Sequence, residues 1–263
     1  MDMQKKINVV AIIQARMGSS RLPGKVLKPL GERPMLGQVV HRLRPSNLVN
    51  RIVVATTIDP SDDEIAQFCS SEGIDCFRGD VFDVLDRYYQ AARYYRADVV
   101  VRITADCPLM DASLVDEIVA AFFDLKVDFA ANRLPPPWKR SYPIGLDIEV
   151  VSFSALKRTW QEAQQPFERE HVMPYLYDQS GRFKTLLLHH EPDYGEKRWT
   201  VDTPQDLDLL QAIFNYFREV PNFTWEDVLS WVAEHPDIEQ MNAGVIHKKV
   251  DDVDERFTGK MAV

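Results

Sequence analysis

At 263 residues, 45% hydrophobic and 27% charged, the chain has the make-up of a soluble globular protein able to bury one substantial core. Its formal charge of −9 argues against a nucleic-acid polymer as partner, because such domains carry a broad basic face. No apolar run approaches the roughly 20 residues of a membrane span. The N-terminus carries no signal-peptide cleavage pattern, and three cysteines (Cys69, Cys76, Cys107) form no Cys-x-x-Cys pair. These features predict a soluble cytoplasmic protein with no membrane partner.

In chain order, the apolar, β-branched run 7–13 reads as a buried strand, followed by a loop of glycine, serine and cations. Met35, Leu36, Val39, Val40 and Leu43 recur at helical spacing and predict a helix ending near Pro45. Residues 51–57 form a second strand, with a turn at Asp59-Pro60; Ile65, Phe68 and Cys69 mark a helix stopped by Gly73. A short strand over 74–77 turns at 78–80 into a helix over about 81–96. The strand 98–104 runs into Ala105-Asp106-Cys107-Pro108, and a helix over 112–124 is capped by Asp111. Strands alternating with helices of this length predict an α/β fold with a right-handed, mostly parallel sheet sandwiched by helices.

Past residue 128 the texture changes. Strand 129–132 is followed by a proline-broken stretch, 135–138, and then by 146–151, whose alternating apolar and acidic residues predict a half-exposed strand. Helices are expected over 153–164 and 168–178, separated by Pro166, with strands over 183–189 and 198–201. Thr203, Pro204 and Asp206 spell an N-cap, a first-turn proline and a capping box at the start of a strong helix. A last helix over 223–233 precedes a charged tail.

The most informative stretch is 14–28. It holds Arg16, Gly18, Ser19, Ser20, Arg21, Lys25 and Lys28, and there is no acidic residue between Met3 and Gly31. In an acidic chain this is a local inversion of charge. Backbone N–H groups, hydroxyls and forked cations at a strand's carboxyl end suit a polyphosphate. The loop has one residue too many between Gly18 and Gly24 for a P-loop, Val26 stands where that motif needs Ser or Thr, and no Gly-x-Gly-x-x-Gly is present.

Arg16-Met17-Gly18-Ser19-Ser20-Arg21-Leu22-Pro23-Gly24-Lys25 resembles the signature loop of the acid-sugar cytidylyltransferases, the group that makes CMP-sialate and CMP-Kdo. Within that group the chain is most similar to the spore-coat polysaccharide biosynthesis protein F type, and the likeness runs over about 7–215. The resemblance implies a Rossmann-like nucleotidyltransferase fold of the nucleotide-diphospho-sugar transferase type. It also implies that the loop wraps the triphosphate of CTP, with Ala15, Arg16, Gly18, Ser19, Arg21, Lys25 and Asp106 as nucleotide-binding residues. It divides the chain into one domain over 1–240, with an acceptor or dimerisation subregion at about 132–182, and a tail over 241–263.

Asp106 and Asp202 each follow an apolar run and are expected to meet at one edge of the sheet. Two carboxylates over a polyphosphate are a hard-oxygen site for Mg²⁺, which takes its remaining ligands from phosphate and water. The segments 104–109 and 201–207 resemble the group's two metal-binding stretches, although Ala105 stands where glycine is expected. Arg16, Arg21, Lys25, Asp106 and Asp202 are thus the expected catalytic set, with Asp106 and Asp202 on the metal.

Tyr-Pro-x-Gly-x-Asp-x-Glu at 142–149 and Glu-Arg-Glu-His at 168–171 resemble acceptor-side segments, giving Arg140, Tyr142, Asp147, Glu149, Arg169 and His171 as acceptor candidates. An arginine fork suits the carboxylate of an acid sugar. Asp83 and Arg87, four apart, predict an intrahelical ion pair; Tyr88, Tyr89 and Phe82 read as core, and Cys107 as a small buried residue. The expected activity is Mg²⁺-dependent transfer of a cytidylyl group from CTP to an acidic sugar in surface polysaccharide synthesis, by a homodimer. A glycosyltransferase or a non-catalytic nucleotide-binding subunit is the alternative.

Overall fold

The run Val9–Gln14 is β1, and its first five residues are excluded from water. A β-branched strand buried on both faces needs a helical layer on each side. The computed structural model, which describes residues 6–135, 138–220 and 222–245, supplies both layers. After β1 comes a small antiparallel hairpin, β2 (Pro29–Leu30) and β3 (Arg33–Pro34). Then follow α1 (Met35–Leu43), β4 (Arg51–Thr57), α2 (Asp63–Ser71), β5 (Asp75–Gly79) and α3 (Val84–Tyr94). β6 (Val99–Thr104), α4 (Ala112–Asp124), β7 (Phe129–Ala131), β8 (Glu149–Ser152) and α5 (Phe153–Glu162) complete the middle of the chain. The last elements are α6 (Pro166–His171), α7 (Pro174–Tyr177), β9 (Thr185–Leu187), α8 (Pro204–Tyr216), α9 (Trp225–Glu234) and α10 (Pro236–Gln240).

Seven strands form one sheet in the order β5-β4-β1-β6-β8-β7-β9. Only β8 runs against the rest, pairing antiparallel with both β6 and β7. Alternate side chains of β1 feed two cores: Val9, Ala11 and Ile13 pack with α1, α2, α4, α8 and α9. Val10 and Ile12 pack with α3, α5 and α7, and α6 lies on α3. This is the expected α/β sandwich. Among the described residues no helix is long and apolar enough to cross a membrane.

The elements differ from expectation where polar side chains intervene. α3 starts at Val84 because the Asp80 carboxylate turns the chain by accepting from the Phe82 and Asp83 amides, and Asp83 then caps the helix through the Asp86 amide. The helix expected over 168–178 is split at Val172, which takes φ +72°, with Pro174 restarting it; Pro166 opens α6 instead of preceding it. Residues 198–201 are not a strand but an extended link with a single parallel bridge, Ile144 to Arg198. Phe82 is 39% exposed and not core, whereas Tyr88 and Tyr89 are buried. Of the proline stretch, Pro136 and Pro137 lie outside the described residues, as do 246–263 of the expected tail.

β8 also departs from expectation. It is covered on both faces, and Glu149, 4% exposed, is ion-paired with Arg102 of β6 across the sheet. Arg102 Nε makes no hydrogen bond, and the guanidinium also lies over the Tyr88 ring, 5.9 Å from its centroid. Removing one member of a buried pair strands the other charge, which costs about 3–5 kcal/mol. Glu149→Ala is therefore expected to lose stability on that scale in urea unfolding, and the apolar double replacement Arg102→Met with Glu149→Leu to recover most of it.

Candidate active site

The basic loop leaves β1 while still tied to the sheet, with the Ala15 amide donating to the Ala55 carbonyl at 3.2 Å. Asp62 accepts from the Met17 amide at 2.7 Å, and the Met17 carbonyl accepts from the amides of Ser19 and Gly24. These bonds close the loop upon itself, and Gly24 at φ +66° makes the left-handed turn that a side chain would resist. Gly18 and Ser20 are exposed; Arg16, Ser19 and Arg21 are partly so.

Lys25 is different: the turn carries it inward, to 9% exposure. Its ammonium donates to Asp106 Oδ2 at 2.7 Å, to Asp202 Oδ1 at 2.9 Å and to the Val201 carbonyl at 2.7 Å. Asp106 follows β6 and Asp202 immediately precedes the capping box of α8. The link between them is stitched by the Asp106 carbonyl, which accepts from the Val201 amide at 2.9 Å and from Thr200 Oγ1 at 3.1 Å. Asp202 Oδ2 meets Arg21 at 3.0 Å and Arg198 at 2.8 Å.

Burial alone would raise the Asp202 pKa, but Lys25, Arg21 and Arg198 outweigh it and bring it down from 3.8 to about 2. Burial likewise opposes the charge on Lys25, and Asp106 and Asp202 more than reverse it, raising its pKa above 10.5. The Asp202 contribution to stability is present above the ordinary carboxylate pKa and is lost as pH falls toward about 2. That of Lys25 is present below 10.5 and is lost only above it, so Lys25 and Asp202 both stay charged throughout the neutral range.

The acceptor candidates separate into distinct places. Arg140 grips Asp147 with both guanidinium nitrogens, the second bond at 3.0 Å, and the Asp147 charge reaches Cys107 beside Asp106. Asp147 of this pair lies two residues past Gly145, whose backbone packs against Trp199 and Thr200 of the link that carries Asp202. Glu149 is turned into the sheet against Arg102. Arg169 spans from α6 to the start of α3, meeting Asp83 Oδ2 at 2.5 Å and the Trp160 carbonyl at 2.8 Å. Asp83 is thus paired with Arg169 and not with Arg87, which is buried and donates to the carbonyls of Asp80 and Val81. Tyr142 is buried in an aromatic group with Trp225 and His190, and burial, helped by Glu117 and Glu226, pushes its phenol up to about 12. His171 ends α6, half-buried, its carbonyl accepting from the Met173 amide. Burial, Asp106 and Asp147 raise the Cys107 thiol well above its ordinary range, which suits a buried residue and not a nucleophile.

Sequence reasoning missed Arg198. It lies four residues before Asp202 and eight before Asp206, a spacing that is uninformative without knowing that 198–202 is extended over the site. The Thr203–Asp206 capping box is present as expected.

A model of the cytidylyltransferase family matches residues 10–250. The chain belongs to the cytidylyltransferase family. It is 31% identical over 240 residues to the spore coat polysaccharide biosynthesis protein SpsF of Bacillus subtilis, covering 88% of this chain and 96% of that one. It is 33% identical over 239 residues to the 3-deoxy-manno-octulosonate cytidylyltransferase of Anaeromyxobacter sp., covering 78% and 97%. A solved cytidylyltransferase from Leptospira borgpetersenii superimposes with a TM-score of 0.84 at 34% identity, covering 92% of this chain and all of that one. This membership makes the chain a CTP-dependent nucleotidyltransferase and decides against the glycosyltransferase and scaffold alternatives.

Gly145 sets the approach of the 198–202 link in this cytidylyltransferase. It sits at φ +108°, and a Cβ there would lie 2.6 Å from both Thr200 N and Trp199 C. The same contact carries the bonds from the Trp199 amide to the Ile144 carbonyl and from the Ile144 amide to the Lys197 carbonyl. Gly145→Ala must either strain the backbone, at about 1–3 kcal/mol, or push the 198–202 link off Asp106. Urea unfolding is expected to show the loss of stability, and pyrophosphate release from CTP to fall by more than tenfold as Asp202 separates from Asp106.

Proposed function

We propose that the chain transfers a cytidylyl group from CTP to a hydroxyl of an acidic sugar, releasing pyrophosphate, with Mg²⁺ between Asp106 and Asp202, in surface polysaccharide synthesis. One observation carries this reading: two carboxylates from segments far apart in sequence converge on the cations of the glycine-serine loop. Among the described residues no cluster of three or more His, Cys, Asp or Glu could hold a metal. Two hard carboxylates with no further protein donor fit a cation that completes its shell with substrate phosphate and water. When bound, that ion offsets negative charge on the phosphate oxygens.

The chain's own residues supply the remainder. Gly18, Ser19 and the exposed side of the loop, with Arg16 and Arg21, receive the triphosphate, while Ala15, buried and bonded to the Ala55 carbonyl, anchors the loop's start beneath the nucleotide-binding residues. Lys25 is the counter-ion of both aspartates, and a triphosphate offers its ammonium equivalent oxygen partners within the same cluster. Charge that builds on the phosphate oxygens as pyrophosphate departs then meets cations already in place, which is electrostatic preorganisation. On the acceptor side the proposal rests on Arg140 and Asp147, the latter two residues past Gly145 at the Asp202 link. Arg140 can fork to a sugar carboxylate and Asp147 can accept from a hydroxyl. The names of the relatives, a spore coat polysaccharide protein and a 3-deoxy-manno-octulosonate cytidylyltransferase, support an acidic sugar and a polysaccharide setting.

The test is pyrophosphate release with CTP, Mg²⁺ and a panel of acid sugars. Asp106→Asn and Asp202→Asn are each expected to reduce turnover on the order of a thousandfold, the equivalent of several kcal/mol of lost charge stabilisation. The double variant should lose little more, since each single change already dismantles the same site. Near-native turnover of either single variant would remove the shared-metal reading. Arg21→Ala is expected to weaken CTP binding in calorimetry by about 1.5–3 kcal/mol with the fold intact, since Arg21 is partly exposed. Lys25 is buried between two carboxylates, so its replacement should also cost stability.

A further inference from the structure

Asn242 lies in the turn after α10, beyond every recognised motif, yet it is 5% exposed. Its amide donates to the Arg198 carbonyl at 3.0 Å and to Asp206 Oδ1 at 2.9 Å. Asp206, wholly buried, also accepts from Arg198 Nε at 2.9 Å, from Arg198 Nη2 at 3.1 Å, from the amides of Asp202 and Thr203 and from Thr203 Oγ1. The Nη2 of the same guanidinium reaches Asp202 Oδ2 at 2.8 Å.

Asp206 thus fixes the backbone of Asp202 directly and its carboxylate through Arg198. Asn242 fixes both Asp206 and Arg198 from the far end of the fold. A helix cap needs one or two of these bonds, and Thr203 with Asp206 already completes the box. The additional bonds all converge on the orientation of one carboxylate, Asp202.

We infer that Asn242, through Asp206 and Arg198, is a positioning residue for Asp202, so that the segment 241–245 is a working part of the active site. The amide suits this role because Asp206 Oδ1 and the Arg198 carbonyl are both acceptors, and one NH₂ group satisfies the two at once. Without it, Asp206 Oδ1 loses a donor and the Arg198 carbonyl its bond, so the carboxylate and the backbone that aim the guanidinium at Asp202 Oδ2 are both less firmly fixed. The inference rests on the reading of Asp202 as a cation ligand.

The experiment compares Asn242→Ala, Asn242→Asp and Thr224→Ala. Thr224→Ala removes the cap of α9, in the same part of the chain, without touching the relay. Mn²⁺ binding to the protein with CTP is followed by the electron paramagnetic resonance of free Mn²⁺, after subtracting the Mn²⁺ bound by the same CTP without protein, alongside kcat and KM for CTP. Asn242→Ala is expected to weaken Mn²⁺ binding three- to tenfold and to lower kcat in step, with KM for CTP within twofold at saturating metal. Asn242→Asp keeps the size, turns a donor into a charge facing Asp206, and should do more damage than alanine. Thr224→Ala should lower the melting temperature and leave Mn²⁺ binding alone. The relay is overturned if both Asn242 variants bind Mn²⁺ within twofold of the natural protein, or if Thr224→Ala weakens binding as much. Failure of the natural protein to bind Mn²⁺ with CTP would instead remove the parent reading of Asp202, and the relay with it.

Discussion

Two carboxylates, Asp106 and Asp202, share the Lys25 ammonium at 2.7 and 2.9 Å, and much of the remaining architecture serves that contact. Like charges brought together in a partly dry pocket repel strongly, and desolvation adds to the cost of each. A cation between them turns repulsion into attraction and makes the cluster stable before any substrate arrives. The same arrangement makes stability and function compete for one group. Lys25 is the counter-ion of the resting fold and, on the proposed reading, also a cation offered to the triphosphate.

Holding that contact requires three segments to arrive from different parts of the sheet. β1 delivers the loop, β6 delivers Asp106, and an extended link delivers Asp202 across the end of the sheet. The link has no strand partner to hold it, so it is secured by pairs of bonds: to the Asp106 carbonyl, to Ile144, and through Arg198 to Asp206. Gly145 permits the backbone approach that brings the link this close. Asp106 and Asp202 thus take their support from a parallel strand end and a helix cap, the kind of element that holds a side chain most precisely.

Much of this was legible in the sequence. Periodicity placed β1, β4, β6, α1 and α4 almost to the residue, because each is apolar enough for local pattern to decide it. The loop cations and both aspartates could be named because their residue types are unusual at strand ends. What could not be read was pairing. Lys25 is separated by 81 residues from Asp106 and by 177 from Asp202, and nothing in local pattern joins them. Asp83 looked bound to Arg87 by helical spacing, but a buried guanidinium finds backbone carbonyls while Arg169 arrives from another helix. The alternation of β8 suggested one wet face, yet Val150 and Val151 feed the two cores on opposite faces of the sheet, and buried Glu149 needs Arg102 to neutralise it. Asn242 looked like the start of a tail because one buried asparagine leaves no periodic trace.

The acceptor candidates are organised on another principle. Its arginines are already spoken for: Arg140 holds Asp147, Arg169 holds Asp83, and Arg102 holds Glu149. Of these, Glu149 is buried in the sheet and Arg169 braces α6 against α3, which leaves the Arg140–Asp147 pair as the one whose carboxylate lies two residues past Gly145 and which keeps partial exposure. On the proposed reading, an acceptor carboxylate that reaches Arg140 exchanges one carboxylate partner for another, so the guanidinium is never left unpaired. A neutral acceptor would have to break the same pair with no charge to offer in return, leaving Arg140 short of a carboxylate in a half-buried place. Discrimination in favour of acidic sugars then comes from the cost imposed on the wrong acceptor as much as from attraction of the right one.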